Sequence, residues 1–113
     1  MTTLFTLSLS ETPGGKLKLT ASSPGLPTVT KYSASTGYRF YVVEARIRSV
    51  TWNGGKAVYE PSIGLSISKR TASKETALRE HRLRGSDGSA VFWRSPEGAY
   101  RLVARGRDIT PPE

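Results

Sequence analysis

The side chains with most to offer a ligand are cationic and aromatic. Between Arg46 and Lys56 two arginines, a tryptophan and a lysine crowd towards the Gly54-Gly55 pair, and in an extended chain Arg46, Arg48, Val50 and Trp52 share one side. Trp93 recurs beside Arg101 and Arg105, Lys16 and Lys18 flank an early turn, and Arg82 and Arg84 close a basic stretch. Guanidinium and ammonium groups neutralise phosphates, and an indole stacks on a base for roughly 1 to 3 kcal/mol. Together these residues have the chemistry of a single-stranded nucleic-acid binder.

Catalysis has less to work with. The chain has no cysteine and one histidine, which removes thiol nucleophiles, disulfides and Cys-ligated metals. His81 stands between Glu80 and Arg82 without an acid or second histidine at metal-ligand spacing, and reads as an exposed or helix-capping side chain. Glu60 is expected across from Arg48 as an ion-pair partner. Gly14-Gly15 and Gly54-Gly55 close hairpins and do not lead from a strand into a helix, so neither is a phosphate loop. Small basic RNA-cleaving toxins use arginines and few histidines, but they begin with a helical pair, whereas the first seventy or so residues here follow a strand pattern. The expectation is a protein that is not an enzyme, with no cofactor and no metal.

Charge narrows the partner. Across 113 residues there are 17 Lys and Arg against 9 Asp and Glu, a formal net charge of +8. Such an excess draws a protein towards polyanions. Residues 3–10 carry no basic flank and only a short apolar run, so they read as neither a secretory signal nor a membrane span, and the expected setting is the cytoplasm.

A period of two dominates the elements that must position these groups. Phe5, Leu7 and Leu9 alternate with Thr6, Ser8 and Ser10, and beyond Thr12-Pro13-Gly14-Gly15 the pattern resumes with Leu17, Leu19 and Ala21 against Lys16, Lys18 and Thr20. Residues 22–36 are rich in Ser, Thr, Pro and Gly and read as a long loop with a short strand around Thr28 to Tyr32. In the second hairpin a three-residue loop, Asn53-Gly54-Gly55 with a left-handed Gly55, pairs Tyr41 with Ile67, Val43 with Leu65 and Ala45 with Ile63. That register leaves Arg46, Arg48, Trp52 and Lys56 on the opposite face.

Ser95-Pro96-Glu97-Gly98 folds a third hairpin, setting Phe92 against Leu102, Trp93 against Arg101 and Arg94 against Tyr100. Val91, Trp93, Arg101, Val103 and Arg105 then share its outer face. Residues 73–84 form the one credible helix, capped by Ser73 and closed by Gly85, although Leu78 and Leu83 are five apart and make a poor buried stripe. Residues 108–113, with two prolines, read as a frayed tail.

The expected fold is a mainly β single domain, 1–113: a small antiparallel sheet, barrel or sandwich of six to seven strands built from three hairpins, with at most one short helix. The expected function is non-catalytic binding of nucleic acid, single-stranded DNA or RNA in preference to duplex, through Lys16, Lys18, Arg46, Arg48, Trp52, Lys56, Arg82, Arg84, Trp93, Arg101 and Arg105. The rival is a protein-interaction module, such as a phage or mobile-element structural or inhibitor protein, that offers the Trp and Arg face or an edge strand to an acidic partner. Tryptophan and arginine are also the residues richest in interface hot spots. An exposed edge strand such as Thr2 to Ser10 invites pairing with a second copy as a homodimer or higher oligomer.

Overall fold

A computed structural model of the chain describes residues 4–34, 37–48, 51–58, 61–83 and 87–111. Strands β1 (Thr6–Glu11), β2 (Leu17–Ser23) and β3 (Leu26–Ser33) form a three-stranded sheet in that order. Strands β4 (Phe40–Arg48), β7 (Ser62–Thr71), β8 (Ser89–Arg94) and β9 (Tyr100–Arg105) form a four-stranded sheet in the order β7-β4-β8-β9, while β5 (Thr51–Asn53) and β6 (Lys56–Val58) pair as a short ribbon. Every pairing is antiparallel. The fold is the mainly β one that the period of two implies.

The two larger sheets face each other. Leu9, Leu17, Leu19 and Ala21 from one sheet meet Tyr41, Val43, Ala45, Leu65 and Phe92 from the other in one buried cluster. On the far side of the four-stranded sheet lies α1 (Lys74–Leu83), whose Ala77 is buried with Phe40, Val42 and Val91. Ser73 caps it: the Ser73 hydroxyl accepts from the Thr76 amide at 3.2 Å and its carbonyl accepts from the Ala77 amide at 3.1 Å. The five-residue spacing has the expected result, since Leu78 packs and Leu83 stands 73% exposed.

One turn design serves twice. At Thr12-Pro13-Gly14-Gly15 and again at Ser95-Pro96-Glu97-Gly98, the first residue's carbonyl accepts from the glycine amide at 2.9 Å. Its hydroxyl accepts from the amide that follows the glycine at 3.1 Å in both turns. Gly15 and Gly98 have φ of 82° and 89°, the left-handed region that side chains with a Cβ avoid. The two turns lie side by side, because Glu11 before the first accepts hydrogen bonds from Arg94 before the second and, at 2.8 Å, from the Tyr100 hydroxyl. This carboxylate ties β1 to the β8-β9 hairpin across the two sheets.

Several expectations need correction. Residues 22–36 are not one long loop: Pro24-Gly25, with Gly25 at φ 79°, makes a tight turn into the eight-residue strand β3. Pro27 is tolerated there because β3 is an edge strand and one of its sides has no ladder to join. Residues 108–113 are not a frayed tail either. The Phe5 amide donates to the Asp108 carbonyl at 2.7 Å, the Thr110 amide donates to the Phe5 carbonyl at 2.8 Å, and Ile109 is 1% exposed. The apolar Ile109 outweighs the prolines that follow it.

The second hairpin keeps the expected core face in a different register. Gly54 and Gly55 both have positive φ, 60° and 81°, and form a two-residue turn that pairs Asn53 with Lys56 and Trp52 with Ala57. In the long strands Val43 pairs with Ile67, Ala45 with Leu65 and Ile47 with Ile63, one step along from the expected set. Ser62, and not Glu60, therefore stands across from Arg48; Glu60 lies outside the described residues. Ser68 is an inserted bulge residue, so Arg70 lands opposite Tyr41 on the core side. In the third hairpin the expected pairs of Phe92, Trp93 and Arg94 hold, but Val103 is a bulge residue, which puts Ala104 opposite Val91 and Arg105 opposite Ala90.

Two outcomes test this packing. A Cβ built on Gly88 meets the Ala45 carbonyl oxygen, so Gly88→Ala must push two backbones apart where the Ala45 amide donates to the Gly88 carbonyl at 2.7 Å. It should cost about 1 to 3 kcal/mol, the usual range for overpacking. An unchanged melting temperature contradicts the close approach. Glu11 is held below the ordinary carboxylate value of 4.5 by the Arg94 hydrogen bond first and the Tyr100 hydrogen bond second. Its contribution is therefore complete above that value and is lost as pH falls from 4.5 through the lowered folded value. Thermal melts across that acid window should show a smaller loss in Glu11→Gln than in the wild-type chain, and equal losses would contradict the tie.

Candidate nucleic-acid interface

Strand alternation decides where each cation goes. Along β4 the residues Phe40, Val42, Glu44, Arg46 and Arg48 share the face that carries α1, while Tyr41, Val43, Ala45 and Ile47 turn to the other sheet. The helix covers Phe40 and Val42 and reaches Ser89 through His81, and Ser89 pairs with Glu44. Arg46 and Arg48 come next along β4 and are exposed. Gly64 makes room for Arg48: a Cβ there would meet the Arg48 Nε, so the long side chain lies across the bare backbone of β7. Arg82, exposed in the last turn of α1, belongs to the same end of the sheet.

The β5-β6 ribbon issues from that end, between the paired residues Arg48 and Ser62. Trp52 is 76% exposed on it. Lys56 pairs with Asn53 and so projects from the opposite face of the ribbon to Trp52. This separates two residues that the three-residue loop would have placed together.

The other expected residues fall elsewhere. Trp93 is half-buried, packed against the Phe40, Val42, Ala77 and Val91 cluster, with the exposed Arg101 across from it on the same helix-bearing side. Lys18 lies on the outer face of the three-stranded sheet between Ser10 and Tyr32, and Lys16 sits exposed at the adjoining turn. That face is on the far side of the molecule from α1. The Val103 bulge turns Arg105 to the Ala90 side, where its Nη1 donates to the Ile109 carbonyl at 3.0 Å. Arg84 lies outside the described residues. No single platform unites the two tryptophans and all the cations. The structure brings together Arg46, Arg48, Trp52 and Arg82, and separately Trp93 and Arg101.

Two features escaped the sequence. Beside Trp93 a pocket of about 280 Å³ is lined also by Tyr38, Arg39 and Arg94, with the Arg94 amide donating to the Arg39 carbonyl at 2.8 Å. Tyr38 and Arg39 precede β4 without any alternation to mark them. A larger cleft of about 690 Å³ runs between the edge strands β1 and β9, floored by Leu7, Leu9, Phe92 and Leu102. It arises from two edges that are tied at either end and separate between, a tertiary arrangement that no local pattern encodes.

His81 also differs from the exposed role expected of it. Its Nδ1 lies 3.0 Å from the hydroxyl of the fully buried Ser89, and the bond docks the last turn of α1 on β8. Burial first, and Arg82 second, lower its ionisation below the ordinary 6.5. The docked state therefore favours the neutral ring: its stabilisation is full above 6.5 and is lost as pH falls from there through the lowered folded value. As the chain's one histidine it gives a single imidazole titration by NMR, expected below 6.5, and a midpoint at or above that value would contradict the docking. Among the described residues no group of acidic or histidine side chains is arranged to hold a metal ion, and no helix is long and apolar enough to cross a membrane. No protein-family model, curated protein or solved structure matches the chain.

Proposed function

We propose that the protein binds single-stranded nucleic acid at the Arg48 end of its four-stranded sheet. Arg46, Arg48 and Arg82 contact phosphates, and Trp52 stacks on a base. The observation that carries this reading is the 76% exposure of Trp52 on a ribbon that issues from a strand end bearing two exposed arginines. An indole that packs on nothing of its own is available to a base, and the net charge of +8 favours a polyanion over other ligands. Trp93 and Arg101, at the far end of the same side, extend the path without forming part of its centre.

One observation favours the rival reading, in which the chain docks another protein. The β1-β9 cleft is apolar between two strand edges, and an extended peptide could add to either edge by main-chain hydrogen bonds. On that reading Arg101, at the rim, would select acidic peptides.

Fluorescence anisotropy with labelled single-stranded DNA, single-stranded RNA and duplex separates these readings. Three phosphate contacts on a single strand predict a log-log salt slope of roughly −2, at about −0.7 for each. Trp52→Ala should weaken single-strand binding by roughly 1 to 3 kcal/mol while leaving the melting temperature unchanged. Absence of binding at low salt, or full affinity in Trp52→Ala, overturns the proposal.

A further inference from the structure

Independently of the polyanion site, the second seam of the sandwich carries chemistry of its own. There the edge strands β3 and β7 face each other across a cavity of about 250 Å³. Its floor is apolar, from Leu19, Leu65 and Ile67, and two cations lie at its sides. Lys31 pairs with Leu19 and so takes the inward side of β3. The Ser68 bulge turns Arg70 inward, opposite the fully buried Tyr41. None of the residues lining the cavity is acidic.

Arg70 is held but not satisfied. Its Nη2 donates to the Ser33 hydroxyl at 3.3 Å, bridging the seam, whereas its Nε is buried and meets no acceptor among the described residues. A buried guanidinium donor without a partner is costly, and the acceptor that suits it best is an oxyanion. Nε–H and the second hydrogen of Nη2 point along the same edge of the guanidinium plane, the fork that receives both oxygens of a carboxylate. The cavity lies just under the roughly 300 to 1,000 Å³ of ordinary ligand pockets, so the occupant is small.

We propose that this seam binds a small organic anion: a carboxylate on a short apolar chain, its oxygens on Arg70 and Lys31 and its chain on Leu19, Leu65 and Ile67. Hexanoate is the probe, with hexanol as its uncharged counterpart, each titrated into the isotopically labelled full chain and followed by amide NMR. Hexanoate should give saturable shifts at Leu19, Lys31, Ile67 and Arg70, and hexanol should bind at least about tenfold more weakly. Arg70→Lys keeps the charge but not the fork, and should weaken hexanoate about tenfold with little change in melting temperature. Lys31→Gln should weaken it by a smaller factor.

The proposal is overturned if millimolar hexanoate gives no saturable shifts, if hexanol binds as well, or if Arg70→Lys binds hexanoate as the wild type does. An inward charge beside a bulge also guards an edge strand against pairing with another chain. If the wild type ignores hexanoate while Arg70→Met self-associates at concentrations where the wild type is monomeric, Arg70 guards the edge and the site does not exist.

Discussion

A β-strand presents its side chains to two faces in turn, and one inserted residue reverses the assignment for everything beyond it. That constraint governs the chemistry of this molecule. Along β4 the alternation runs unbroken, so Tyr41, Val43 and Ala45 fill the space between the sheets while Arg46 and Arg48 emerge on the opposite side. On β7 the extra residue Ser68 brings Arg70 to the interior, and on β9 the extra residue Val103 sends Arg105 to the core side and Ala104 under the helix. Three strands of one sheet thus distribute their arginines by the presence or absence of a single residue.

The sandwich closes differently along its two seams. At the β1-β9 seam Phe5 is bonded to Asp108 and Thr110 at one end, and Glu11 is bonded to Arg94 and Tyr100 at the other. Burial, and then the Glu11 hydrogen bond, raise the ionisation of Tyr100, which keeps that donor protonated wherever the carboxylate is charged. At the β3-β7 seam the printed bridge between the strands is the weaker one from Arg70 to Ser33, at 3.3 Å. Cavities lie where the sheet edges are not hydrogen-bonded to one another, and their polar groups come from the residues that tie or fail to tie those edges.

Local patterns carried the fold class, the core faces of β1, β2, β4 and β8, and the pairing of Trp93 with Arg101. Those features depend on alternation and on turn residues a few positions apart, Thr12 to Gly15 and Ser95 to Gly98. What the sequence hid depends on contacts between distant segments. Ile109 anchors the last strand-like segment to Phe5, the hydroxyl-rich β3 is a strand because β2 supplies its ladder, and Glu11 meets Arg94 only once two hairpins are stacked. Bulges were the other blind spot. Ser68 and Val103 are ordinary strand residues by composition, and their effect is to move charges between faces. In the candidate site Arg46, Arg48 and Trp52 kept their expected exposure, whereas Trp93 was drawn in by Phe40 and the helix, and Lys56 was turned away by a two-residue turn in place of a three-residue one.

The central claim is that an unpacked indole and the arginines beyond the end of α1 form one grip on a polyanion, distinct from the cationic residues on the far sheet. Amide and indole NMR shifts recorded while a short oligothymidylate is added to the labelled chain test it most directly. The account predicts that the Trp52 indole N–H moves together with the amides of Arg46, Arg48 and Arg82, while those of Lys18, Thr20 and Thr30 on the outer face of the three-stranded sheet stay still. Shifts centred on that outer face, or a Trp52 indole that does not respond while other residues do, would contradict it.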